Sequence, residues 1–253
     1  MKTLSFITST YNEEKNLPAC LDSIKDIADE IIVVDGSSED KTVAIAKEYV
    51  AKIKVTDNPA IFLINRQKAI DMATKDWLLN LDADERLTPE LQKEIVAILK
   101  NDDSEINGYW IPRKNWFLGR YLMKGGVYPD YQLRLYRKGK VHFNLKDVHE
   151  QAIVEGKTAH LKSPMIHLSD PQFSRYLKRF NRYTDRIADE LQEKNVSLAS
   201  APNYLVIKPL SAFIWTYGRH KGFADNWQGV VFHFFSALRF PVGYMKSLKK
   251  NRK

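Results

Sequence analysis

The strongest constraint on the fold is an alternation in the first 85 residues. Short continuous apolar runs, too short for helices, are separated by stretches with helical spacing. The run at 4–7 ends at Thr8-Ser9-Thr10, and helical spacing follows over 18–28. Ile31-Ile32-Val33-Val34 is β-branched throughout and stops at Asp35-Gly36-Ser37-Ser38. A second helix is expected over 42–50 with Asp40 as its N-cap. A strand at 53–55, a helix at 61–73 and a strand at 77–81 continue the pattern. Apolar strands separated by helices form a parallel sheet covered on both faces. Such sheets bind ligands beyond the C-terminal ends of their strands. The polar clusters at 8–14, 35–40 and 82–86 all lie at those ends and are expected to share one crevice.

Downstream, Thr88-Pro89 reads as N-cap and first residue of a helix reaching about residue 100. Residues 107–167 carry short strand and turn signals rich in aromatics. Residues 173–191 are amphipathic, with Phe173, Tyr176, Leu177, Phe180, Ile187 and Leu191 at helical spacing. Pro202 separates that helix from a final helical region. The expected division is one domain over 1–170, in two halves (1–85 and 86–170), and a helical region over 171–253.

Composition sets the outer bounds. One cysteine allows no intrachain disulfide, which suits a reducing compartment, and Cys20 falls on an apolar helical stripe with Leu17, Leu21 and Ile24. No apolar run reaches the roughly 18 residues of a membrane span. The apolar stretch within 1–10 is followed by Asn12-Glu13-Glu14 and does not read as a signal peptide. The net charge of +8 lies wholly in residues 204–253, which hold nine Lys and Arg against one acid, Asp225. An anionic partner is therefore expected to meet the C-terminal region.

The chemistry concentrates in a few places. Asp82-Ala83-Asp84 ends a buried strand, where two carboxylates need a positive charge. Mg²⁺ or Mn²⁺ shared with a diphosphate would supply it. A solvated, helix-capping turn is the plainer reading. The loop from Ser9 to Glu14, with Tyr11 and Glu13, has neither a Gly-x-Gly-x-x-Gly nor a Gly-Lys-Ser/Thr pattern. Its polar atoms and single ring suit a base and ribose. Asp35 either accepts a hydrogen bond from that nucleoside or closes an Asx-turn. Arg66 is placed to reach a phosphate or, with Lys68, to form a solvated helix face. Arg134 and Arg137 alternate with Leu133 and Leu135, and are read as the polar face of a strand that meets an acceptor or forms a plain outer surface. Glu150 is the candidate general base, with His149 orienting it, contacting the diphosphate or joining a metal shell. A surface ion pair is the alternative there. Gly125-Gly126 reads as a turn or a lid.

Three segments in order, Thr10-Tyr11-Asn12-Glu13-Glu14, residues 31–42 and residues 77–85, resemble family 2 glycosyltransferases with the GT-A fold. Residues 130–136 (Asp-Tyr-Gln-Leu-Arg-Leu-Tyr) and Val148-His149-Glu150 are similar to the subgroup that adds glucose to the lipopolysaccharide inner core. The resemblance implies an α/β, Rossmann-like, mostly parallel sheet with helices on both faces and an amphipathic C-terminal helical segment. It further implies that Ser9, Tyr11, Glu13, Asp35, Arg66, Asp82, Ala83 and Asp84 bind a nucleotide-sugar, with UDP-glucose as donor. Asp82 and Asp84 would hold the metal, Gln132 and Arg134 would meet the acceptor, and Glu150 would be the base. Many members carry a carboxylate where this chain has His149.

Residues 204–253 interleave aromatics with Arg219, Lys221 and Arg239 and end in a basic cluster. Basic, aromatic, amphipathic segments lie in the interface of anionic bilayers. The expectation is a cytoplasmic enzyme, peripheral on the inner face of the cytoplasmic membrane, acting on a lipopolysaccharide-core or other lipid-linked acceptor. A polyprenyl-phosphate or peptide glycosyltransferase is the enzymatic alternative. A basic nucleic-acid-binding protein is the alternative of another class, although the electroneutral first 203 residues argue against a nucleic-acid partner.

Overall fold

A computed structural model describes residues 1–59, 61–101, 103–145 and 151–250. The chain forms two compact units, one of residues 1–113 and 130–167, the other of residues 114–129 and 168–253.

In the first unit, strands β1 (Leu4–Thr10), β2 (Glu30–Asp35), β3 (Lys52–Val55) and β4 (Trp77–Asn80) are all parallel, in the order β3-β2-β1-β4. Helices α1 (Leu17–Asp22), α2 (Thr42–Glu48) and α3 (Leu63–Met72) connect them. Alternate side chains feed two separate cores. Leu4, Phe6, Val33, Trp77, Leu79 and Leu81 pack against Leu17, Cys20 and Leu21 of α1 and Ala46 of α2. Ile7, Ile32, Val34 and Leu78 pack against Leu63, Ala69 and Ile70 of α3 on the opposite face. Both faces are buried, so the strands read as continuous apolar runs. Each fully buried Leu, Ile or Phe contributes about 1.5–3 kcal/mol. Only β3 departs, because it is the edge strand; its lysines keep that edge in water.

After β4 the sheet changes direction. Among the described residues it continues through β8 (Asp130–Arg137), β6 (Ile106–Phe117), β12 (Met165–Asp170) and β5 (Glu85–Leu87). β8 runs antiparallel to both β4 and β6, and β12 antiparallel to β5. Short strands β7 (Arg120–Tyr121) and β11 (Lys157–His160) pair with β6, and β9 (Val141–His142) pairs with β10 (Ile153–Val154). Helix α4 (Pro89–Asn101) starts as expected: the Leu91 amide donates to Thr88 Oγ1 at 3.2 Å. In α2 the N-cap is Lys41 rather than Asp40, and Asp40, one residue before it, accepts the Thr42 amide at 2.9 Å.

The second unit is mainly helical. It holds α5 (Phe173–Glu193), a 3₁₀ turn at Leu198–Ser200 and a run over 203–219 in which α6 (Lys208–Phe213) is flanked by two π-helical segments. A 3₁₀ turn at Gly222–Asp225 leads into α7 (Asn226–Lys250). Aromatic rings fill its core edge to face: Phe117 lies 4.9 Å from Tyr176 and 5.5 Å from Phe232, and Phe235 lies 5.2 Å from Phe180. Gly125 and Gly126, at φ +68° and +77°, form a turn. A Cβ on Gly125 would meet the buried His233 ring at 2.0 Å, so the backbone approach there requires glycine.

Candidate functional site

The loops after β1 and β2 are stitched to each other. The Asn12 amide donates to Ser38 Oγ at 2.8 Å, and Asn12 Oδ1 accepts the Glu39 amide at 2.9 Å. The Glu13 amide donates to Thr42 Oγ1 at 2.8 Å and the Glu14 amide to Asp40 Oδ2 at 3.0 Å. Asn12 and Ser37 take left-handed φ values of 54° and 63°, held by this latch. Much of the polar character of 10–14 and 35–42 therefore serves one loop–loop junction.

What the latch leaves facing outward is a cleft of about 350 Å³ beyond the ends of β1 and β4. Ser9, Thr10, Tyr11 and Glu13 form one side, Asn58, Phe62 and Asn65 another, and Asp82, Ala83, Asp84 and His167 the end. Tyr11 and Phe62 are exposed rings flanking it. The cleft thus brings together Ser9, Tyr11, Glu13, Asp82, Ala83 and Asp84, as the sequence suggests. Asp35 sits deeper and does not line it. Fully buried, it accepts Thr10 Oγ1 at 2.9 Å, the Ser38 amide at 2.7 Å and Ser38 Oγ at 2.6 Å, so it closes the loop through the residue three positions on, one further than an Asx-turn reaches.

Behind Asp82 runs a line of alternating charges. Arg66 pairs with Asp82 Oδ1, and Arg134 donates to Asp82 Oδ2 at 2.6 Å and to Glu85 Oε1 at 2.7 Å. Arg113 joins Glu85 Oε1 at 2.9 Å to Asp130 Oδ2 at 2.7 Å, and Asp130 Oδ1 accepts Gln132 at 2.8 Å. Glu85 Oε2 closes the turn by accepting the Asp82 amide at 3.0 Å. Burial pushes the Asp82 carboxyl up, but Arg134 and then Arg66 outweigh it and hold the group well below the carboxylate range. Burial likewise works against the Arg134 guanidinium, and Asp82 and Glu85 more than restore its charge. On the far side of the strand, burial, then the Glu85 charge, raise the Cys20 thiol; this cysteine packs in the core, as its stripe predicts.

Arg134 does not lie on a plain polar strand face. Tyr109 pairs with Leu135 and Trp110 with Leu133, so Arg134 is the extra residue of a β-bulge. The bulge sends Leu133 and Leu135 to opposite cores and turns Arg134 inward, where it is 5% exposed. Arg137 goes elsewhere, over the Trp77 ring at 4.6 Å. Gln132 is half-buried on Asp130. His149 and Glu150 lie outside the described residues.

Sequence reasoning missed His167, whose Nε2 is 3.6 Å from Asp84 Oδ2. Its position follows from the β12–β5 pairing, which sets His167 opposite Glu85; no local signal near residue 167 marks it. Phe62, Asn58 and Asn65 were also missed as cleft residues, although Asn65 lies one position from Arg66.

The model of the Glycosyl transferase family 2 matches residues 5–152 of this chain. The lipopolysaccharide core biosynthesis glycosyltransferase LpsC of Rhizobium meliloti (strain 1021) is 28% identical over 251 residues, covering 93% of this chain and 91% of that one. An uncharacterised glycosyltransferase of Rickettsia typhi is 29% identical over 98% of this chain and 89% of its own. Among solved structures, S. aureus TarS 1-349 is similar with 18% identity and a TM-score of 0.47, over 98% of this chain and 88% of that one. With its α/β sheet, the cleft beyond β1 and β4 and a family match over more than half its length, the chain belongs to glycosyl transferase family 2 and is an enzyme.

Proposed function

We propose that the chain transfers a hexose, glucose from UDP-glucose, with inversion, to a lipopolysaccharide-core or other lipid-linked acceptor. The observation that carries this reading is the convergence of Asp82, Ala83 and Asp84 with Ser9, Tyr11 and Glu13 in one cleft, Asp82 being kept ionised by two buried arginines. Full-length similarity to a lipopolysaccharide core glycosyltransferase supports the acceptor class.

The donor set fits a hard divalent cation. Asp82 and Asp84 share the end of the cleft with His167, while Arg66 and Arg134 occupy both Asp82 oxygens. Among the described residues no three His, Cys, Asp or Glu side chains form a ready cage. Mg²⁺ or Mn²⁺ would therefore rest on Asp84 with Asp82 or His167 and draw its other ligands from diphosphate and water. When bound, it neutralises the diphosphate as a leaving group.

Tyr11 and Phe62 offer ring faces to the base, and Ser9, Glu13 and Asn65 offer hydrogen-bonding groups to base and ribose. Glu150 takes the proton of the acceptor hydroxyl as that oxygen bonds to the sugar's anomeric carbon. The bond from that carbon to the diphosphate breaks, and the nucleoside diphosphate leaves with its electron pair. Gln132 and Arg134 belong to the acceptor half (86–170). The helical region over 171–253 holds the enzyme at the membrane where a lipid-linked acceptor resides.

Release of UDP from a panel of nucleotide sugars, with and without Mn²⁺, tests the reading. UDP-glucose is expected to turn over, and Asp84→Asn to slow it by about 10²-fold or more. Unchanged turnover in Asp84→Asn overturns the site.

A further inference from the structure

The helical run over 203–219 is unusual in what it does not bury. Among its seventeen positions none is buried, although most are apolar. Val206, Ile207, Leu210, Ile214 and Trp215 recur every three or four residues, and each is between 56 and 59% exposed, as is Trp227 at the start of α7. An apolar helix face normally finds a protein core, and contiguous exposed apolar patches mark interaction surfaces.

The charges around this face have one sign. The run contains no acid, and Lys208, Arg219 and Lys221 flank its apolar residues. From residue 194 to residue 250 the single acid is Asp225, which is 1% exposed and accepts the Met123 and Lys124 amides at 2.9 and 2.8 Å. Lys208 caps the Tyr204 ring at 3.8 Å, and Arg219 lies 5.8 Å from the Trp215 ring. Tyrosine and tryptophan beside cations, around a branched aliphatic centre, is the arrangement that rests at headgroup depth. No helix among the described residues is long and apolar enough to cross a membrane, so this run is suited to lying along one.

The basic end of α7 is differently engaged. Lys246 Nζ reaches Asp185 Oδ1 at 2.7 Å, Thr184 Oγ1 at 2.8 Å and Asn181 Oδ1 at 2.6 Å, and Lys250 pairs with Asp189. Those lysines join α7 to α5.

We infer that the exposed apolar face of residues 203–219, with Trp227, is the surface by which this enzyme docks on an anionic lipid bilayer, and that Lys246 and Lys250 of α7 are structural. A second copy of the chain is a poorer occupant, because a twofold contact would set this acid-free, basic face against an identical one. The inference deepens the proposed reading, since a membrane-resident acceptor gives the docking its purpose.

The test is co-flotation of the full chain with vesicles of pure phosphatidylcholine or with 30% phosphatidylglycerol added, at low salt, a composition on the order of the anionic content that attracts basic segments. Binding is expected to the anionic vesicles only, with a blue shift of tryptophan emission. Leu210→Glu with Ile214→Glu is expected to reduce it at least about tenfold, while Lys250→Ala, which removes the pair with Asp189, leaves it within about twofold. The paired variant, at positions more than half exposed, should retain the wild-type unfolding midpoint and the UDP-glucose affinity in solution. Equal flotation of the paired variant and wild type overturns the inference, as does a dimer that this variant dissolves without vesicle binding. Loss of UDP-glucose binding by the wild type would instead overturn the donor reading and leave the flotation result standing.

Discussion

Glu85 shows how one residue supports a site it does not enter. It is fully buried, receives Arg134 and Arg113, and holds the Asp82 amide, yet it does not line the cleft. Removing one member of a buried charge network leaves the others uncompensated, at a cost of about 3–5 kcal/mol. Glu85→Ala is therefore expected to lower unfolding free energy by that amount in urea titration. Glu30 is a second case, at the start of β2. Burial raises its carboxyl, but Lys52, Ser5 and the Thr74 amide and hydroxyl together bring it down to about 2. A depressed carboxyl stabilises the fold fully above its unfolded value of about 4.3. That contribution fades as pH falls from there towards 2. Between pH 5 and pH 2.5 the wild type should lose more stability than Glu30→Gln, measured by thermal melts at each pH; parallel curves would refute it. These roles were invisible in the sequence, because the partners of Glu85 lie 28 and 49 positions away.

At the scale of elements, the parallel β-strands and their order of polar ends were legible, since both-faced burial writes itself as unbroken apolar runs. The Thr88 cap was legible because capping is local, whereas the start of α2 fell one residue later, at Lys41 rather than Asp40. The antiparallel half was not, because β6 is twelve residues long with mixed burial and β8 is bulged. A period of two put Arg134 on a polar strand face, meeting either an acceptor or solvent; the bulge, a product of pairing with β6, turned it inward. The junction of α5 and α7 likewise depends on a single small residue. A Cβ on Gly243 would stand 2.5 Å from Ile187 Cγ2. Gly243→Ala is expected to cost about 1–3 kcal/mol by overpacking. Ile187→Ala in the same chain should return part of that loss, so the two effects should fail to add in a double-mutant cycle.

Across the whole molecule, charge and chemistry are separated along the chain. The electroneutral first 203 residues hold the cleft, and the excess positive charge lies in the region with the exposed apolar face. That separation was legible from composition, whereas the membership of the cleft was only half so: Tyr11, Asp82 and Asp84 stood out, but His167 arrives through strand pairing. The central claim is that a nucleotide-sugar and a divalent cation meet at Asp82-Ala83-Asp84. Calorimetric titration of UDP-glucose into the protein with Mn²⁺, and again with the metal chelated, tests it most directly. The account predicts binding that weakens at least about tenfold, some 1.4 kcal/mol, on chelation and by a similar factor in Asp84→Asn with metal present. Equal affinity in all three titrations would contradict it.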